Sequence, residues 1–281
     1  MVGDPGQLPP IVSADMANLS VAEHKVHLSA PEYLLDRAPD TPVYALPATR
    51  RFGRATTEIV QPAFYPDLPF GSLVDDDEHR LTFPVAGLDL PIDDALDALA
   101  DGAGIVALLL PGETPPWSDA DEELGAVMVR VVERALQRSG TWEGRRTLGA
   151  NDFALIDPNT RRVGAVASEL RARNLGTVVD TVEKWQGLQV PITVARHPLS
   201  RAGSPTPFDL DAGRWCVALS RHQLGCVIVA RASVERAITD YRHRSDDAPA
   251  GAVDTTWAGF RAHRHVWEEL RRRGTIFEFG A

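Results

Sequence analysis

Through the middle of this chain, short apolar runs bounded by glycine or proline alternate with longer stretches whose apolar residues recur at helical spacing. The run "GIVALLLP" (104–111) is continuously apolar, as expected of a strand buried on both faces. The segment "SDADEELGAVMVRVVERALQRSG" (118–140) has a serine or aspartate cap, acidic residues in its first turn, Val127, Val131 and Leu136 at helical spacing, and a closing glycine. It predicts a helix of about five turns. The same alternation continues with a strand in "DFALIDP" (152–158), a helix in "TRRVGAVASELRARN" (160–174), and strands in "GTVVD" (176–180) and "VPITVAR" (190–196). A helix over "GRWCVALSRH" and a strand in "LGCVIVA" (224–230) follow. Strands alternating with helices predict parallel βαβ units, and so an α/β fold.

The flanks read differently. The first 45 residues are proline-rich and hold one short predicted helix, 31–37. A helix is expected over 56–64, ending near "YPDLPFGS". From Val234 onward the pattern is mainly helical, and "TTWAGFRAHRHVWEELRRRG" (255–274) places Trp257, Phe260, His263 and Trp267 on one stripe, which reads as a packing face.

Composition narrows the function classes. With 281 residues and 44% apolar content the chain can bury a large core. A formal charge of −10 argues against a non-specific nucleic-acid coat, although the basic residues, nearly all arginine, are grouped finely enough to leave a local basic track. Cys216 and Cys226 belong to no CxxC or His/Cys cluster, so no metal site is expected, and they read as buried thiols of a reducing compartment. With no charged start before an apolar run and no long apolar stretch, the expectation is a soluble, cytoplasmic protein away from membranes.

Four segments resist a purely structural reading: "GDPGQLPP" (3–10), "LPATRRFG" (46–53), "DTVEKWQGLQ" (180–189) and "VALSRHQ" (217–223). The first, third and fourth are expected at the carboxyl ends of strands, where open α/β sheets bind ligands. Their residue types suit phosphoryl transfer to water, which needs cations at the γ-phosphate and a polar group that positions the attacking water. Arginine supplies permanently charged forks for phosphate oxygens, and glutamine a neutral donor and acceptor. No GxxxxGK[ST] loop occurs in the sequence, and no GxSxG, HExxH or paired catalytic carboxylates point to another hydrolase.

In order and wording these segments resemble the second half of a superfamily 1 helicase, in the branch that includes the nonsense-mediated-decay and replication-associated helicases. "GDPGQLPP" is similar to the family's third motif, "LPATRRFG" with "FYPDLPFGS" to the fourth, "TVEKWQGLQ" to the fifth and "VALSRHQLGCVIVA" to the sixth with its following strand. "ALIDPNTRRVGAVASEL" resembles the strand, loop and helix between the fourth and fifth. Together they span most of residues 3–230 in the family's order.

The resemblance implies a RecA-like parallel sheet with flanking helices, preceded by a short remnant of a first RecA-like domain (1–45), occupying 46–233, and followed by a helical carboxyl-terminal tail (234–281). It implies that Gln7 senses the γ-phosphate, that Arg51 is the first arginine there and that Arg221 is the arginine finger. Gly3, Asp4, Gln186, Gly187 and Gln189 would lie near nucleotide, and Thr181, Asn159 and Arg161 would face nucleic acid. The cofactors implied are ATP and Mg, bound only with a complete P-loop domain, in cis or in trans. Single-stranded DNA or RNA is the implied partner, with an inclination toward 5′-to-3′ movement on DNA. The P-loop and the acidic Mg-binding motif would lie before residue 1, so a gene fragment or a late start is expected. Two departures stand out: Gln189 replaces a usual glutamate, and His222 and Gln223 stand where small and basic residues are common. The expected function is the carboxyl-terminal motor half of an ATP-dependent helicase, inactive alone. The alternative is a non-enzymatic module, derived from a helicase, that binds nucleic acid or protein.

Overall fold

In the computed structural model, residues 30–75, 78–88, 90–113, 121–142, 145–242 and 255–280 are described. Six strands form the main sheet: β1 (Ile105–Leu110), β2 (Phe153–Ile156), β3 (Val178–Asp180), β4 (Val190–Arg196), β5 (His222–Arg231) and β6 (Ile276–Glu278). Their order is β6-β1-β5-β4-β2-β3, and every neighbouring pair is parallel. The helices are α1 (Ala30–Arg37), α2 (Arg54–Phe64), α3 (Pro91–Ala100), α4 (Glu122–Gln137), α5 (Thr160–Ala172), α6 (Ala212–Leu219), α7 (Ser233–Asp240) and α8 (Thr255–Arg273). This is the α/β arrangement expected, a parallel sheet with flanking helices.

Both faces of the sheet are covered, which is why its strands read as unbroken apolar runs. On β1, Ile105, Ala107 and Leu109 pack with residues of α2, α6, α7 and α8, while Val106, Leu108 and Leu110 pack with those of α3, α4 and α5. Cys226, Ile228 and Ala230 of β5 face the first group, and Leu224, Val227 and Val229 the second. Fully burying one such side chain contributes roughly 1.5–3 kcal/mol.

Three elements differ from expectation. The segment 91–100 forms α3, its buried Asp93 accepting two bonds from the Arg134 fork across from α4. The carboxyl-terminal stretch is helical but does not end as a tail: Gly274 (φ 67°) turns the chain, and β6 pairs with β1 at the sheet edge. Between them α8 lies against α2 and α6, so close to the turn before α6 that a methyl group at Gly259 would overlap the Leu210 carbonyl. Finally, β5 begins at His222 rather than Leu224, and α6 stops at Leu219.

Strand order sets where crevices open. The chain leaves β1 and β2 for α4 and α5 on one face, and leaves β4 and β5 for α6 and α7 on the other. Neighbouring strands therefore diverge at their carboxyl ends twice, between β1 and β5 and between β4 and β2. These are the points at which open α/β sheets take ligands. Here a buried ion pair closes each one. Arg231, the last residue of β5, forks onto Asp121, the N-cap of α4, with Nε 2.9 Å from Oδ2 and Nη2 2.6 Å from Oδ1. Arg196, the last residue of β4, sits 2.5 Å from the Asp157 carboxylate that follows β2; the two are 1% and 0% exposed. Asp157 also accepts from Arg162 of α5 (2.9 Å). Burial would raise the Asp121 carboxyl, but the hydrogen bonds and charge of Arg231 override it and hold it below the ordinary carboxylate value.

Among the described residues, three histidines are wholly buried. His197 is ringed by Trp215, His263 and Trp267, with centroids 4.7, 5.1 and 5.5 Å away, and His263 Nε2 donates to the Asp209 carbonyl (3.1 Å). Burial pushes His263 and His222 down to about 3 and lowers His197 as well, so all three fold neutral.

Two outcomes follow from this packing. The unfolded chain takes up protons on these histidines below about pH 6.5 while the folded one does not, so stability falls from there toward pH 3. Between pH 7.5 and 5.5, His222 and His263 together cost about 3 kcal/mol, with His197 adding in the same direction; an unchanged urea midpoint across that interval would refute their neutral burial. Separately, Asp157→Ala removes the carboxylate between Arg196 and Arg162 and costs about 3–5 kcal/mol in urea unfolding, whereas a loss below about 1 kcal/mol would show that the pair is no structural element.

Candidate functional site

At the amino ends of β4 and β5, three of the sequence-predicted segments meet. The turn before α2 is fixed from several sides: Arg51 N donates to Thr49 Oγ1 (3.1 Å), and Ser72 Oγ to the Phe52 carbonyl (2.8 Å). Thr57 Oγ1 caps back onto the Gly53 carbonyl (3.1 Å), and α2 starts at Arg54. The turn aims Arg51 across the chain, where its Nη1 donates to the Ser220 carbonyl at the end of α6 (2.9 Å). Arg221 follows directly, 1% exposed, with Nη2 3.2 Å from Ser220 Oγ. Its carbonyl accepts from Val190 N (3.0 Å), which brings the 186–189 loop alongside. Arg51 and Arg221, far apart in sequence, thus share one corner.

His222 completes that corner. Its ring lies 5.8 Å from Phe52, and its Nε2 is 2.9 Å from Thr56 Oγ1 on the first turn of α2. Burial, then the charges of Arg51, His79 and Arg221, keep the imidazole neutral. His79 bonds the next residue, its Nδ1 2.9 Å from the Gln223 carbonyl.

The 181–189 segment crosses the sheet from one edge to the other. It leaves β3 at Thr181, makes a 3-10 turn over Val182–Trp185, and enters β4 at Val190. Val182 and Trp185 are buried, and Glu183 pairs with Arg214 of α6, whose guanidinium lies 4.1 Å over the Phe208 ring. Beyond Trp185 the loop is exposed: Gln186, Gly187 (φ 82°, a conformation that favours glycine) and Gln189 face solvent.

The remaining predicted residues lie at the opposite, carboxyl edge. Thr181 is buried, its backbone N donating to Asp180 Oδ1 (2.8 Å). Asn159 caps α5, accepting from Arg161 N (2.9 Å), and its own N donates to Asp157 Oδ1 (3.0 Å). The side chains of Asn159 and Arg161 are exposed. The expectation that "VALSRHQ" stands at a carboxyl strand end is therefore corrected: it joins the end of α6 to the amino end of β5. Gln7, Gly3 and Asp4 lie outside the described residues.

Sequence reasoning missed Asp157, Arg196, Asp121 and Arg231 as a network, and Thr56 as the partner of His222. The one available signal was an arginine closing each of two apolar strands, "VPITVAR" and "LGCVIVAR". Among the described residues no group of three or more His, Cys, Asp or Glu is placed to hold a metal ion. Cys216 and Cys226 are buried free thiols, and burial pushes Cys226 up to about 12, which leaves it unreactive. No helix among the described residues is long and apolar enough to cross a membrane.

No protein-family model and no curated protein matches the chain. Among solved structures, it is similar to the C-terminal domain of a possible DNA helicase from Lactobacillus plantarum WCFS1, at 12% identity and TM-score 0.32, over 52% of this chain and 87% of that one. It is also similar to arterivirus nonstructural protein 10, a helicase solved in complex with DNA, at 12% identity and TM-score 0.27, over 66% of this chain. The match spans 25% of the arterivirus chain. At this identity the likenesses concern the fold alone.

Proposed function

We propose that the chain is the second, carboxyl-terminal RecA-like half of an ATP-dependent nucleic-acid helicase of superfamily 1. The observation that carries the reading is the shared corner of Arg51 and Arg221, two arginines of separate motifs joined through Ser220. Planar, permanently charged forks brought together in a helicase-like order suit the γ-phosphate of a nucleotide held by another domain. The described residues fit only that side of ATP–Mg. They offer the half-buried Arg51 guanidinium for phosphate, with Arg221 buried in the same corner, but no P-loop cradle, no carboxylate set for the metal, and crevices that ion pairs already fill. On this reading ATP–Mg is bound by a P-loop domain, in cis or in trans, that this chain assists. An exposed apolar strip before α2, Val43, Tyr44 (91% exposed) and Leu46, suits a surface that such a domain covers. ATP supplies the phosphoryl group that is lost to water; the arginines of this chain offset charge developing on it.

On the opposite edge, exposed Asn159 and Arg161 are assigned to the backbone of single-stranded nucleic acid. Hydrolysis at one edge would then be sensed by a strand held at the other, through a sheet rigid enough to transmit it.

ATP turnover is the direct test. The 281-residue chain alone is expected to show none, and the protein complete with its P-loop domain to turn over ATP and lose roughly 10³-fold or more in kcat on Arg221→Ala. Undiminished turnover in both Arg51→Ala and Arg221→Ala would overturn the assignment. For nucleic acid, fluorescence anisotropy on a single-stranded oligonucleotide is expected to show weaker binding by Arg161→Ala, with the slope of log K against log salt reduced by about 0.7 for the lost phosphate contact. An unchanged slope would remove Arg161 from the interface.

A further inference from the structure

We infer that His222 and Thr56 form a buried clamp that positions Arg51 beside Arg221. The inference deepens the proposed function and rests on it for its purpose, though not for its geometry.

Three elements converge on Thr56. From β5, His222 Nε2 stands 2.9 Å from the Thr56 hydroxyl, and both residues are buried. From the start of β1, Gly104 approaches so closely that a Cβ there would lie 2.6 Å from Thr56 Oγ1 and 2.9 Å from Thr56 N. Gly104 also holds φ 72°, and its carbonyl accepts from Cys226 N of β5 (2.9 Å), so the backbone of β1 and β5 is already fixed at that point. Thr56 belongs to the first turn of α2, three residues after Gly53. Anchoring it anchors the Arg51–Gly53 turn, whose Phe52 packs its ring against His222. With the turn fixed, Arg51 reaches the Ser220 carbonyl and stays next to Arg221.

The chemistry of the clamp excludes the side chains that the resemblance leads one to expect at 222. A small residue would leave the Thr56 hydroxyl facing a gap, at the cost of an unsatisfied buried donor. A basic one would bring a further cation between Arg51 and Arg221. The neutral imidazole does neither: it bonds the hydroxyl and adds no charge. The charged and titratable groups that face it are Arg51 from the turn before α2, His79 from the 78–80 loop, and Arg221 from its own segment. His222 and Thr56 are accordingly positioning residues, with Arg51 the group that would meet phosphate.

The clamp is testable on the 281-residue chain without nucleotide. Arginine modification by phenylglyoxal, read residue by residue by mass spectrometry, reports how firmly Arg51 is held, and exposed Arg130 serves as an internal reference. Thr56→Val keeps the shape and removes the hydroxyl; Thr56→Ser restores it. Loss of one net hydrogen bond corresponds to about a fivefold rise in the modification rate of Arg51 in Thr56→Val, with Thr56→Ser close to the parent and Arg130 unchanged in both. His222→Gln, which can still bond the hydroxyl, is expected to stay near the parent rate. A parent-like Arg51 rate in folded Thr56→Val overturns the clamp, as does an equal rise in Thr56→Ser. If Arg51 is released as expected but the complete protein hydrolyses ATP undiminished without Arg51 and Arg221, the clamp stands and the helicase reading falls.

Discussion

Two buried arginine–aspartate pairs hold the edge at which this sheet would otherwise open. At Arg231–Asp121 and Arg196–Asp157, neighbouring strands send their chains to opposite faces, and at the first of these Ala232 N also donates to the Leu110 carbonyl (2.8 Å). Placing four charges there is expensive in desolvation, and hydrophobic residues of equal volume would serve stability about as well. What the pairs add is direction. Arg231 also donates to the Pro111 carbonyl (3.0 Å), and Asp157 accepts from Asn159 N and Arg162, so each pair fixes the loop beside it as well as the crevice. Among the described residues these bonds tie together the exits of β1, β2, β4 and β5.

Sealing that edge has a consequence for function. Open α/β sheets take ligands at their switch points, and here the ion pairs occupy that space. Among the described residues, the polar side chains of the candidate site gather in two places. At the amino edge, Arg51 and Arg221 meet beneath the exposed 186–189 loop, while at the carboxyl edge the capping turn of α5 presents Asn159 and Arg161. Such a division suits a domain that assists hydrolysis at one surface and holds a polymer at another. The same loop, 181–189, begins at one of these edges and ends at the other, anchored midway by Trp185 and by the Glu183–Arg214 pair.

The strands were legible because burial on both faces removes the polar alternation that would otherwise hide them, as in "GIVALLLP" and "LGCVIVA". β6 was not: "IFE" is three residues long and half-exposed, and its place at the sheet edge is set by where α8 delivers it. α3 was obscured by Asp93 and Asp94, which read as surface residues until Arg134 and Arg138 of the neighbouring helix region are seen to cover Asp93. The start of β5 was misplaced because His222 was read as the end of the preceding helix, "GRWCVALSRH"; only its tertiary partner makes it a core residue. The edge of the sheet to which "VALSRHQ" belongs could not be read. A segment between a helix and a strand belongs to the amino end of that strand, and the order α6, Arg221, β5 decides this only once the helix boundary is known. The ion-pair network left no local pattern beyond the arginine closing each of two apolar strands, since each partner comes from a different strand exit.

The departure of this sequence at position 222 then acquires a physical reason. Two guanidinium groups at one corner repel, and at low dielectric that repulsion is strong, so a further cation at 222 would add to it. Arg51 is held by a backbone carbonyl, not by a carboxylate, so its charge is oriented without being neutralised. A carboxylate at this position would quench the cation that phosphate is to meet, and a carbonyl leaves it available. The same logic runs through His222, whose burial among Arg51, His79 and Arg221 keeps it uncharged while its Nε2 grips Thr56. The corner thus orients Arg51 through a carbonyl, whereas at the opposite edge Arg196, Arg162 and Arg231 are each matched to an aspartate.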